Sequence, residues 1–179
     1  NNTAVGFNSL NANTTGTSNV AIGAYALDVN TTASNNTAVG YQSLSDNTTG
    51  ARNSAFGDNS LANNTTAGNN TAVGYQSLFT NSTGAYNVAV GINSLFFNVT
   101  GGDNVAVGDF ALYSNTASNN TAVGSDTLIA NTSGTNNTAI GSRALEATTT
   151  GEENTAVGKI AGYGITTGSS NTIIGNATA

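Results

Sequence analysis

Asn70-Thr71-Ala72-Val73-Gly74-Tyr75-Gln76-Ser77-Leu78, followed after two residues by Asn81-Ser82-Thr83-Gly84, is one copy of a unit that fills the whole chain. Its opening pentapeptide, Asn-(Thr/Val/Ser)-Ala-(Val/Ile/Phe)-Gly, returns every 17 residues at Asn2, Asn19, Asn36, Asn53, Asn70, Asn87 and Asn104. One residue is dropped before Asn120. The step of 17 then resumes through Asn137 and Asn154 to Asn171, where the motif relaxes to Asn171-Thr172-Ile173-Ile174-Gly175. A fixed short period over a whole chain marks a stacked architecture, in which each copy is one structural unit and none is stable alone. Residues 1–179 therefore read as a single repeat array of about ten and a half units. Because it opens and closes inside a repeat, the expectation is a segment of a longer fibre or one unit of an end-to-end assembly.

Counting from the opening Asn, position three is Ala in every copy until Ile173, and position five is always Gly. Position four is a large apolar residue: Val5, Ile22, Val39, Phe56, Val73, Val90, Val107, Val123, Ile140 and Val157. Position nine is Leu10, Leu27, Leu44, Leu61, Leu78, Leu95, Leu112, Leu128 and Leu145, then Gly162. Helix is a poor reading, since Gly recurs inside the apolar part at a cost of about 1 kcal/mol each relative to Ala. Short strands punctuated by Gly and Asn fit better. Positions four and nine differ in parity, so an uninterrupted strand would send them to opposite faces. If both line one core, the chain turns between them near the Gly of position five. The Asn-Thr-Thr-Gly stretch makes the other turn. Two or three short strands per 17 residues then describe one coil of a parallel β-solenoid or β-roll, all-β and fibrous.

Stacking explains the invariance. Adjacent coils lie about 4.8 Å apart, so each position becomes a column of like residues and the whole array a rod on the order of 50 Å long. The Val/Ile and Leu columns are expected to fill the core. Small residues at positions three and eight keep the coil thin, and the Asn of positions one and twelve form amide ladders. The invariant Gly of position five implies positive φ or a close backbone approach.

Composition narrows the function. Three cations against nine carboxylates give a net charge of −6. That disfavours nucleic acid, which requires clustered Lys and Arg, and a basic membrane-binding surface. No apolar stretch approaches the roughly 20 residues that span a bilayer, so membrane insertion is not expected. His and Cys are absent, which removes the common bases, nucleophiles and metal ligands. The remaining carboxylates, such as Asp103, Asp109, Glu152 and Glu153, occupy variable or turn positions. Neither an enzyme nor a cofactor or metal site is expected.

Three surface features remain. Asn-x-Ser/Thr acceptors for glycosylation recur at Asn13, Asn30, Asn47, Asn64, Asn81, Asn98 and Asn131, with a second column at Asn35, Asn69, Asn119 and Asn136. Phe79, Phe96 and Tyr113 stack at position ten beside Phe97; they read as an aromatic ladder packing on itself or on a neighbouring chain, or as a strip for a glycan. The Thr pairs of positions thirteen and fourteen would form an ordered hydroxyl array of the kind that binds ice, although consecutive Thr do not give the alternate-residue pairs that a strand presents.

Asn19-Val20-Ala21-Ile22-Gly23-Ala24-Tyr25-Ala26 and Asn104-Val105-Ala106-Val107-Gly108-Asp109-Phe110-Ala111 resemble the head repeat of YadA-type trimeric autotransporter adhesins. The longer units are also similar to repeats of phage tail-fibre-like proteins. The resemblance implies a left-handed parallel β-roll, three chains to a head, that binds host surfaces. Together these readings lead to an extracellular, cell-surface or virion-associated fibre or adhesin shaft. It is expected to form a homo-oligomer, either a trimer through Val20, Val88 and Val105 of position two or an end-to-end filament, with a surface glycan or receptor as partner. The alternative is a ligand-binding solenoid for ice or glycan.

Overall fold

The computed structural model describes residues 1–176. It contains eleven strands of three residues: β1 (Thr3–Val5), β2 (Val20–Ile22), β3 (Thr37–Val39), β4 (Ser54–Phe56), β5 (Thr71–Val73), β6 (Val88–Val90), β7 (Val105–Val107), β8 (Thr121–Val123), β9 (Thr138–Ile140), β10 (Thr155–Val157) and β11 (Thr172–Ile174). They form one parallel sheet in chain order, each strand beside the next. Register is strict: Thr71 pairs with Val88, Ala72 with Ala89 and Val73 with Val90, and the same alignment holds along the array. The protein is a β-solenoid of stacked coils, as the period predicts, but each coil has one three-residue strand rather than two or three, because left-handed turns take up the remainder of the coil.

Between strands the chain makes tight turns whose backbone bonds run to neighbouring coils. The N–H of Leu78 donates to the Ser94 carbonyl at 2.9 Å, and that of Gly74 to the Phe56 carbonyl at 2.8 Å. Left-handed backbone recurs at positions seven, nine and seventeen, as at Gln76 (φ 52°), Leu78 (φ 53°) and Tyr86 (φ 61°). A Leu in this region costs about 1–2 kcal/mol. The cost is tolerated because the turn carries the side chain into the core. Position five confirms its expected constraint twice over: Gly74 has φ 135°, and a Cβ there would lie 2.6 Å from the Gly91 carbonyl oxygen. Only Gly satisfies both conditions.

The core differs from the sequence expectation in one column. The Leu of position nine and the Ala of position three are fully buried from the second coil onward, and they pack together in one continuous cluster. Leu10, in the first coil, is partly buried against it. Position four is instead at the surface. Val5, Ile22, Phe56, Val73, Val107, Ile140 and Val157 are exposed, and Val39, Val90 and Val123 are partly so. The turn at Gly74 and its equivalents does occur, but it brings position three, not position four, to the side of the Leu. Opposing walls of so thin a coil leave room on the strand side for a methyl group only. Period two then directs positions two and four outward together.

Asparagine completes the interior. At position twelve, Asn64 Nδ2 donates to Asn47 Oδ1 at 2.8 Å and to the Ala67 carbonyl at 3.0 Å. At position one, Asn53 Oδ1 accepts from the backbone N–H of Asn70 at 3.0 Å, while Asn53 Nδ2 donates to the same Ala67 carbonyl at 2.9 Å. Two amides from opposite sides of the coil thus converge on one carbonyl and fasten the closing turn. Buried amides are stable only when bonded in this way.

Candidate functional site

The sheet face is the most extensive uniform surface. Along β2 to β10 the middle Ala points inward, and its two neighbours point out in paired columns: Thr, Ser or Val at position two, and Val, Ile or Phe at position four. Val73 is 37% exposed and Ile22 40%, values kept low because each residue is flanked by its equivalents one coil away. Neither column contains a charged side chain from Thr3 to Ile174, although the chain carries a net charge of −6. Position four thus gives an unbroken run of large apolar residues at the surface, bordered by the mainly Thr column of position two. The sequence held a signal for it: an invariant Ala between two larger residues indicates that the Ala faces the crowded side.

The first column of glycosylation candidates is not available to a glycan. Asn30, Asn47, Asn64, Asn81, Asn98 and Asn131 are fully buried, and Asn13 is partly buried at the open edge of the first coil. Their amides make the interior ladder, so a sugar on Nδ2 would remove its bonds and have no space. The Ser or Thr that completes each acceptor motif lies at position fourteen, on the exposed side of the turn. Asn35, Asn119 and Asn136 of the second column are exposed and Asn69 partly so.

The Thr array also divides by position. Thr14, Thr48 and Thr65 of position thirteen donate their hydroxyls to the backbone carbonyl of the next coil at 2.9, 3.0 and 3.2 Å. Those hydroxyls are occupied in stacking. Position fourteen, as at Thr32, Thr49, Thr66 and Thr83, is exposed and forms a single outward column.

Phe79, Phe96 and Tyr113 do form a ladder. Phe96 stacks on Phe79 at 5.2 Å and 19°, and on Tyr113 at 5.4 Å and 27°. Phe97 packs edge to face against Phe96 and Tyr113 at 4.8 and 5.1 Å. Both faces of Phe96 are therefore covered by other rings, which leaves no free face there for a sugar to stack on. The rings pack on themselves.

The Asp28 carboxyl is pushed above its ordinary value, chiefly by burial and further by the charge of Asp46, against bonds from backbone N–H groups. The pair adjoins no cavity, and among the described residues there is neither a pocket nor a group of three acidic residues placed to hold a metal ion. Arg143 pairs with Glu146 and lies over the Tyr163 ring, an ordinary solvated contact. Among the described residues no helix is long and apolar enough to cross a membrane. The chain matches no protein-family profile, no curated protein and no solved structure.

Proposed function

We propose that the chain is a non-catalytic structural shaft of an extracellular or virion-associated fibre or adhesin, and that copies associate side by side through the sheet face. The carrying observation is the uncharged sheet face, an apolar column at position four beside a column of Thr, Ser and Val at position two, which runs the length of the rod. An acidic chain repels its copies except where charge is absent, and that face is where like can meet like. Its resemblance to adhesin head repeats supports an assembly of three chains. Receptor or glycan binding would then belong to the outward turns or to other parts of the fibre.

Sedimentation tests this reading. The chain should sediment as an oligomer well above 17.7 kDa, and Val73→Asp with Val90→Asp should convert it to a folded monomer. A wild-type chain that stays monomeric at high concentration defeats the proposal.

One observation favours a second reading. Thr71 and Val73, or Thr138 and Ile140, are alternate residues of one strand on one outward face. Position two keeps Thr on four successive strands from Thr121 to Thr172, about 4.8 Å apart, while Val20, Ser54, Val88 and Val105 interrupt the column earlier. This is the alternate-residue pattern that the Thr-Thr turns lack, and an ordered array of methyl and hydroxyl groups on such a lattice suits ice. Thermal hysteresis from a monomeric chain, lost in Thr71→Tyr, would establish ice binding in place of lateral assembly. A monomer without hysteresis removes both readings.

A further inference from the structure

The array is interrupted once, in the coil that opens at Asn104, which has 16 residues where the others have 17. The missing residue is that of position fourteen, because Asn115 and Ala117 still occupy the roles of positions twelve and fifteen: Asn115 Nδ2 donates to the Ala117 carbonyl at 2.7 Å, and so does Asn104 Nδ2 at 2.8 Å. The coil closes, but its stacking on the preceding coil suffers. Asn81 and Asn98 continue the interior ladder, Asn98 Nδ2 donating to Asn81 Oδ1 at 3.0 Å. Asn115 makes no corresponding bond to Asn98, whose Oδ1 is left buried without a partner.

The adjoining turn is loosened as well. One coil earlier, the N–H groups of Ser82 and Thr83 both donate to the Val99 carbonyl, at 3.0 and 3.2 Å. Among the described residues, the N–H groups of Val99 and Thr100 make no such bond to Thr116. Val99 also stands where other coils have a Thr or Ser hydroxyl to donate across the junction. One seam of the rod thus lacks an amide bond, the backbone bonds of one turn and a hydroxyl bond at once.

One of two aromatic groups lies at that same seam; the other, Phe7, Tyr25 and Tyr41 in the first three coils, touches edge to face without parallel stacking. Position ten is Asn11, Asp28, Ser45 and Ala62 in the four earlier coils, then Phe79, Phe96 and Tyr113 in the three that lead up to and include the short one. Two ring contacts cross the seam, Phe96 with Tyr113 and Phe97 with Tyr113, and Phe110 of the short coil packs on Tyr113 at 5.5 Å. Directly beside them, the Phe97 N–H keeps its bond to the Tyr113 carbonyl at 3.0 Å.

We infer that the aromatic ladder is a staple that holds the rod together across the interrupted coil, with Tyr113 as the residue on which it closes. Its role is specific to the seam, replacing by ring packing the bonds that the deleted residue removes. The staple acts within one chain, whether the rod assembles with copies or binds ice.

Hydrogen exchange of the full chain tests it. Tyr113→Ala should raise exchange of the amides around Asn98–Thr100 and Thr116–Asn119 by about tenfold or more, through local opening of the seam. Phe79→Ala, which removes a stacked ring outside the seam, should raise exchange at its own coil by no more than about threefold. The decisive arm inserts a Thr between Thr116 and Ala117 to restore a coil of 17. In that background Tyr113→Ala should have no more effect than Phe79→Ala. Equal opening by Tyr113→Ala in both backgrounds overturns the staple. Tyr113→Leu, which keeps apolar bulk, serves if the Ala variant does not fold, and should show the same dependence on background with a smaller rise.

Discussion

The coil opening at Asn70 and the coil opening at Asn154 close the same interior with different residues. In the first, Leu78 fills the centre, Ala72 lines the strand side and Asn81 continues the amide ladder. In the second, position nine is Gly162, position twelve is Ile165, and the following strand carries Ile173 in place of Ala. A Cβ on Gly162 would lie 2.8 Å from Leu145 Cδ2, 2.9 Å from Ile173 Cδ1 and 3.4 Å from Ile165 Cδ1. Two isoleucines have moved into the space of one Leu, and the ladder has given way first to Thr148 and then to Ile165. The coil therefore requires a filled interior and bonded amides where amides are present; it does not require the consensus residue at each position. Protein interiors are packed tightly enough for such exchanges to be felt together.

The largest test breaks the filled centre outright. Leu78→Asp places a carboxylate among fully buried residues with no partner, and should cost more than about 4 kcal/mol or abolish folding. Thr83→Asp, on the exposed column, should change stability by less than about 0.5 kcal/mol. Thermal unfolding curves that coincide for the two would remove the Leu column from the core.

Next comes the backbone that both coils share. Gly74→Val meets a positive φ and the Gly91 carbonyl at 2.6 Å, and should cost about 3 kcal/mol or more. Gly84→Ala meets the Gly101 carbonyl at 2.2 Å without the φ constraint, in a column where Ala33 and Ala67 are already accommodated. It should cost about 1 kcal/mol, since only a backbone shift is needed. Chemical denaturation in which Gly84→Ala is the worse variant would place the chief constraint at position fifteen.

A sharper test separates repeat from packing. The repeat alone predicts that Gly162→Leu restores a consensus contact. The structure predicts overpacking, with a loss of about 1–3 kcal/mol. Adding Ile165→Asn and Ile173→Ala should recover most of it. A single Gly162→Leu variant that melts higher than wild type would show that the two coils are not alternative solutions.

The smallest effect lies within the ladder. Asn64→Thr removes donors to Asn47 and Ala67 and an acceptor for Asn81. Asn98→Thr removes donors to Asn81 and Gly101, but no neighbour loses an acceptor. The first should therefore be more destabilising by about 1 kcal/mol, one net hydrogen bond. Equal midpoints in urea would mean that the ladder does not propagate from coil to coil as drawn.

Much of this protein was legible in its sequence because the repeat makes every coil an independent statement of the same constraints. The period of 17 determined the parallel solenoid, since only stacking reconciles ten near-identical units with units too small to fold alone. The invariant Gly of position five, the buried Leu column and the Asn ladders also followed from residue type and recurrence. What the tertiary structure alone decided was direction. Whether Ala72 or Val73 faces the Leu depends on how far the turn at Gly74 rotates the chain and on the space left between opposing walls, and apolarity indicates neither. The same holds for Asn64, which as a sequence reads equally as a glycan acceptor or a ladder rung. Its burial is fixed by bonds to residues three and seventeen positions away. The seam at Asn98 is likewise a property of two stacked coils, because a missing residue in one leaves an amide of the other without its partner.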